Sequence, residues 1–294
     1  MKWNSSSTAS RFKHNIFYFL IRFGGRYAAY SLLLFVAAFY TLSPKLRVRA
    51  APYLIRRFNE KTHILWKTYK LYFSFGMALV DRATLGITGK SQNMCSASDI
   101  DMFHSLYNQG KGLVVITAHV GSWQSAATSL DLLPGNKYIV YYRDKNDVDK
   151  QAHEHGGIKA PAHFIDPSNG TDAAVKIVAA FEERAIICVM GDRVFGSEKG
   201  AVSVPFLNDD IQAPATIYRI AAFYGAPVII AFCPIKGAGK LAFEIADHFV
   251  VEDRGNNAES YKQEALRFAR ALEAFCVKYP YQYFNFFDIW RKTA

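Results

Sequence analysis

Between residues 113 and 278, short runs rich in β-branched residues alternate with stretches that carry the spacing and caps of helices. No other feature of the chain limits its fold so strongly. Leu113–Thr117 (LVVIT), 137–142 (KYIVYY), 185–190 (AIICVM), Pro227–Phe232 (PVIIAF) and 241–246 read as strands. Between them, Ser122 can cap a helix to about Leu130. Thr171 can cap another through Arg184, with Val175, Val178 and Phe181 on one face. Pro214 suits the first turn of a helix to Tyr224, and 259–278 is a longer helix. Alternating βα units predict an α/β fold with a largely parallel central sheet flanked by helices. The 294 residues, 51% of them apolar, suffice for one large domain or two small ones.

The N-terminal part reads differently. Residues 15–40 are mostly apolar but interrupted by Arg22 and Arg26, and the uncharged run 27–42 has 16 residues. That falls short of the roughly 20 needed to span a bilayer. The segment can span with the two arginines snorkelling, or lie partly inserted. It has no small-residue cleavage site. Pro44 ends this helix, 47–58 forms a basic amphipathic one, and Trp66, Tyr69, Phe73, Phe75 and Leu79 recur at helical spacing as a packing stripe. Residues 1–82 hold 14 Lys/Arg against 2 Asp/Glu, a net of +12, and the remainder holds 21 against 23. A basic excess around a hydrophobic segment points to a lipid bilayer rather than nucleic acid. The expected division is a basic, hydrophobic, membrane-anchoring segment at 1–42 and an α/β domain at 43–294.

Three strands are each followed by polar groups: His119 after LVVIT, Arg143 after KYIVYY, and Asp192-Arg193 after AIICVM and Gly191. If the strands are parallel, all three lie on one sheet edge, where open α/β sheets bind ligands. His119 in a strand-to-helix turn suits a general base, provided its second ring nitrogen has a partner to fix the tautomer. Gln124, one turn on, offers an amide. Asp192 can hold a hydroxyl, pair with Arg143, or supply a carboxylate. Arg143 and Arg193 can grip phosphate. Gly196 and Gly200 mark a loop. His153, His155 and His163, with Glu154 and Asp166, fit no strong zinc spacing, so no metal is expected. The four cysteines show no paired spacing and read as free thiols.

The stretch AHVGSWQ resembles the HxxxxD/E signature of the lysophospholipid acyltransferase superfamily, in the H-x-G-N-W-E form of its lipid A late (lauroyl/myristoyl) acyltransferase branch. Histidine, glycine and tryptophan match; Gln124 stands where the branch has an acid. Gly191-Asp192-Arg193, the run 202–207 followed by Ala213-Pro214, and the aromatic ending 279–290 (YPYQYFNFFDIW) also resemble the branch. Such a tail reads as a hydrophobic clasp or as the lining of an acyl channel.

The resemblance implies an acyltransferase at the bacterial inner membrane, with its catalytic domain on the cytoplasmic side. His119 would act as base, with Gln124 and Asp192 in the catalytic group. Arg143, Arg193, Ser122 and Trp123 would contact substrate. The donor would be an acyl carrier protein or coenzyme A thioester, and the acceptor a lipid or glycolipid; no cofactor is implied. Backbone N–H groups at 121–123 would form the oxyanion site. The Gln124 departure leaves two alternatives open: an aminoacyl (glycyl) transferase acting on lipid A, or an inactive membrane scaffold of the same fold.

Overall fold

The five runs read as strands lie side by side in one sheet. The structure, a computed structural model, describes residues 11–89, 92–125, 134–142, 162–194 and 200–290. Three helices come first: α1 (Arg11–Leu42), α2 (Pro44–Phe58) and α3 (Ile64–Thr88). Then follow β1 (Gln92–Cys95), α4 (Ala97–Tyr107), β2 (Leu113–Thr117), β3 (Lys137–Val140), β4 (His163–Ile165), α5 (Thr171–Glu182) and β5 (Ile186–Met190). The last part holds β6 (Ala201–Phe206), β7 (Asp209–Pro214), α6 (Thr216–Tyr224), β8 (Pro227–Phe232), β9 (Lys240–Val250) and α7 (Lys262–Lys278).

The seven-stranded sheet has the order β1-β9-β8-β2-β5-β3-β4. Every neighbouring pair is parallel except β8 with β9. The α/β fold with a largely parallel sheet is therefore as expected. Strands buried on both faces need no polar side, which is why β2, β5 and β8 read as unbroken apolar runs. Their side chains alternate between two cores. Val114, Ile116, Ile187, Val189, Val228 and Ile230 face the larger one, which α7 fills with Phe268, Leu272 and Phe275. Leu113, Val115, Ile186, Cys188 and Ile229 face the smaller one, under Phe103 and Leu106 of α4.

Several elements differ from expectation. Pro214 ends β7 and α6 begins at Thr216, so this proline closes a strand. The run 202–207 and Ala213-Pro214 lie in a separate antiparallel hairpin, β6 and β7, that is not among the expected strands. β3 stops at Val140, although Tyr141 N–H still donates to the Ile165 carbonyl at 2.9 Å. β9 runs to Val250, antiparallel to β8. β1 and β4, only 4 and 3 residues long, add the two edges. After the His119 turn, 123–125 are helical, and the rest of the helix expected to Leu130 lies outside the described residues.

The segment after α7 crosses the carboxyl ends of the strands. Val120 and Tyr283 form an antiparallel bridge. Tyr53 Oη donates to the Pro280 carbonyl at 2.9 Å, and Trp290 Nε1 donates to the Phe206 carbonyl at 2.9 Å. Tyr283, Phe284 and Trp290 are buried. Of the two readings of the aromatic tail, the clasp is what these contacts describe.

Candidate active site

The parallel ladder decides which side chains meet. β2 and β5 pair in register from Leu113↔Ile186 to Thr117↔Met190. Beyond the last pair, Gly191 N–H donates to the Thr117 carbonyl at 2.8 Å. Two residues past each strand end, at the same offset, stand His119 and Asp192. His119 Nδ1 lies 2.9 Å from Oδ1 and 3.0 Å from Oδ2 of Asp192. The His119 backbone N–H also donates to Oδ2, at 3.4 Å.

Arg193 extends the arrangement. Its Nε is 3.9 Å from Asp192 Oδ2, and Nη2 donates to the Phe284 carbonyl at 3.3 Å. Its guanidinium lies over the Phe287 ring, 4.9 Å from the centroid. Phe284 N–H in turn donates to the His119 carbonyl at 2.8 Å. His119, Asp192, Arg193 and Phe284 thus close a circuit that holds the histidine by ring and backbone at once.

These groups lie inside the protein: Asp192 is 1% exposed, Arg193 6% and His119 9%. Burial pushes His119 down from its ordinary value; the Arg193 charge adds to this, and the Asp192 carboxylate opposes it without reversing it. Burial alone would raise Asp192, but pairing with His119 and the nearby Arg193 outweigh it and hold the carboxyl below the usual range. At neutral pH the pair is therefore a carboxylate beside a neutral imidazole. The carboxylate accepts from Nδ1–H, which leaves the Nε2 lone pair to receive a proton.

The turn around His119 is built by close backbone approach. Gly121 has φ +52°, and a Cβ there would lie 2.0 Å from the Cys233 carbonyl oxygen, so only glycine fits. Gly121 N–H donates to the Gln282 carbonyl at 2.8 Å, Ser122 N–H to Cys233 at 2.7 Å, and Trp123 N–H to Val120 at 3.3 Å. The oxyanion expectation for 121–123 is corrected by this: those donors hold the turn itself. The Gln282 side chain pairs with Ile235 in both directions, Nε2 donating to its carbonyl and Oε1 accepting from its N–H.

Of the expected site residues, His119, Asp192 and Arg193 come together. Ser122 is buried beneath the turn at 2% exposure. Trp123 is half-buried, with its ring 5.6 Å from that of His119, and packs against Phe75 and Phe284. Gln124 sits in the first helical turn, but the partner at Nδ1 is Asp192. Arg143 lies outside the described residues, as do His153, Glu154, His155 and Gly196. Asp166 accepts from the N–H and hydroxyl of Ser168, and the His163 ring packs near Tyr138. Among the described residues no group of three His, Cys, Asp or Glu is placed to hold a metal. Cys188, Cys233 and Cys276 are buried free thiols, each pushed up to about 12 by burial.

Sequence reasoning missed Gln282 and Phe284 as builders of the site. It also left Asp192 with three possible roles. The equal offsets of LVVIT-A-His119 and IICVM-Gly191-Asp192 carried the signal, once the two strands are set as register neighbours.

No curated protein matches the chain. The bacterial lipid A biosynthesis acyltransferase family does match, over residues 55–292, from the end of α2 through every strand to the clasp. The chain therefore belongs to the bacterial lipid A biosynthesis acyltransferases.

Proposed function

We propose that this acyltransferase uses His119 as general base, held and polarised by Asp192. The carrying observation is the contact of His119 Nδ1 with both Asp192 oxygens at 2.9 and 3.0 Å. Nε2 removes the proton from an acceptor hydroxyl or amine as that group attacks the thioester carbonyl of an acyl carrier protein or coenzyme A donor. The carbon–sulfur bond breaks, and the imidazolium returns its proton to the leaving thiolate. The Asp192 charge offsets that of the imidazolium formed in between. Gln124 and Trp123 border the reacting groups, and Arg143 meets substrate phosphate. No cofactor takes part.

The acceptor is an amphiphile that belongs to a membrane, and residues 1–42 supply the anchor beside the catalytic part 43–294. The enzyme works on the cytoplasmic face of the bacterial inner membrane, where such thioesters are made. Transfer of an aminoacyl group in place of a fatty acyl group uses the same steps. An inactive scaffold draws its support from Gln124; Asp192 at the ring nitrogen supports the active reading instead.

The test is mass spectrometry of lipid A incubated with purified protein and thioester donors. The expected result is an added acyl or aminoacyl mass with wild type. His119→Ala should lower the rate at least ~10²-fold, the usual weight of a general base. A correctly folded His119→Ala protein with near-wild-type rate would end this mechanism.

A further inference from the structure

α1 is the longest helix of the described chain, and its two sides differ. Ile21, Ala29, Leu33 and Ala37 are buried on one side. On the other, Phe23, Tyr27, Phe35 and Leu42 are between 70% and 74% exposed, with Phe19 and Phe39 in line with them. Steps of four from Phe19 to Tyr27 and from Phe35 to Phe39, with Leu42 three further on, make this an apolar stripe open to the surroundings. Asn15–Leu42 is apolar and long enough to cross a membrane, yet its buried side is occupied.

α3 occupies it, antiparallel and over nearly the full length. Ile21 and Ala29 cluster with Val80, Ala83 and Ile87. Leu33 fits against Gly76, where a Cβ would come within 2.2 Å of its Cδ1. The Tyr40 ring lies 5.3 Å from that of Tyr72. Arg26 pairs with buried Asp81 at 3.6 Å, and Tyr30 Oη donates to the same carboxylate at 2.6 Å. α3 in turn belongs to the main body: Leu71 and Tyr72 enter the larger core, and Phe75 stacks on Trp123 beside His119.

A crossing α1 would therefore face one of two costs. It could drag α3, with Lys67, Lys70, Asp81 and Arg82, into the hydrocarbon, where charged groups are expensive. It could instead leave α3, stripping buried Asp81 of Arg26 and Tyr30 and leaving it the Gly239 backbone alone. Lying along the surface incurs neither. With 32 residues α1 is about 48 Å long, against about 30 Å of hydrocarbon core. Its kink at Gly25, with φ 70°, lets it follow a surface. Exposed Arg22, Lys45 and Arg49 lie on α1 and the start of α2, within the region of net +12 charge, and they match an anionic headgroup layer.

We propose that α1 docks lengthwise into one leaflet of an anionic bilayer and does not cross it. The inference rests on the membrane-associated reading above and fixes its geometry: the N-terminus and the catalytic part stay on the same side. It also sets the reacting histidine one helix layer from the lipid, since α3 touches α1 on one side and Trp123 on the other.

Two measurements on the full chain test it, and neither reads activity, so an inactive His119→Ala protein should behave as wild type in both. The first is flotation with phosphatidylglycerol-rich vesicles, against phosphatidylcholine vesicles. Wild type should float with the former and lose most binding on the latter. The Phe23→Glu/Phe35→Glu/Phe39→Glu variant should lose at least ~10-fold in bound fraction while keeping its circular dichroism and melting profile. Unchanged flotation of that variant would overturn the proposal. So would a change from oligomer to monomer with flotation intact, which would assign the stripe to a second copy of the chain. The second places an epitope tag ahead of Met1 and adds protease to inverted inner-membrane vesicles. Removal of the tag there, with protection in spheroplasts, is expected. The reverse pattern, with the catalytic part still digested in inverted vesicles, means that α1 crosses.

Discussion

A histidine is useful as a base only when one ring nitrogen is spoken for and the other is bare. Here the partner comes from the neighbouring strand, where the HxxxxD/E pattern would place it five residues on. Asp192→Asn removes the negative charge and can present an amide donor to Nδ1, which favours the wrong tautomer. It should cost as much as His119→Ala, about 10²-fold in rate, while Gln124→Ala should cost clearly less. Equal losses from the two changes in steady-state assays would return the dyad to Gln124. Arg193 can be separated from substrate binding by pH. Because its charge adds to burial in holding His119 down, Arg193→Met should move the acid limb of the pH–rate profile upward, with KM unchanged and Arg193→Lys restoring the limb. A raised KM with an unmoved limb would make Arg193 a substrate contact. The same buried groups affect stability. His119 and Asp192 both bind protons less readily folded than unfolded, so their contribution is present at neutral pH. It is lost as pH falls below the unfolded histidine value, about 6.5, and then through the carboxylate range.

At the scale of elements, what was legible followed burial. β2, β5 and β8 are enclosed on both faces, so their sequences are unbroken apolar runs that carry their own boundaries. β1 (QNMC) and β4 (HFI) are short edge strands with little apolar content to find. The β6–β7 hairpin had a readable alternation, with Val202, Val204 and Phe206 inward, but no turn signal. Its loop residues Leu207 and Asn208 both have positive φ, 52° and 66°. Such a pair usually announces itself as Asn-Gly. Leucine in that conformation is strained, and the Leu207 N–H is held by Glu273 from α7 at 3.2 Å, a contact that no local pattern reveals. Pro214 misled for a related reason: at the end of a two-stranded hairpin, proline is as acceptable as in a first helical turn. The tail gave a prediction of its own. Trp290 stacks on Phe206 at 5.7 Å, donates to its carbonyl and lies beneath the Arg56 guanidinium at 4.4 Å. Trp290→Ala should therefore destabilise the fold by about 3–5 kcal/mol, the usual range for a buried aromatic. A melting temperature within a degree of wild type would show the clasp to be dispensable.

For the whole molecule, the first helices form a layer between the sheet body and the surroundings, and the charge follows that division: +12 before residue 83, close to neutral after. The hydrophobic N-terminus was legible as an apolar helix. Its partner was not, because helix pairing depends on Gly76 and on Asp81 meeting Arg26 across the fold. That packing has a practical outcome. Deleting residues 1–42 should not release a soluble enzyme, since it uncovers the α3 surface around Val80 and Ala83 and takes Arg26 and Tyr30 from buried Asp81. The truncated chain should aggregate or melt well below full length in the same detergent; a monodisperse truncated protein with unchanged melting would contradict the close pairing of α1 and α3.

The bond from Phe284 to the His119 carbonyl also bears on how the protein is made. A nascent chain emerges from the ribosome in order, so the HVGSWQ turn leaves the tunnel long before the segment that braces it. Until residues 282–284 follow, the histidine has its aspartate but not its backbone support. If His119 is the base proposed above, a chain arrested ahead of Pro280 lacks the bond that braces its carbonyl and should transfer acyl groups more slowly than the full chain.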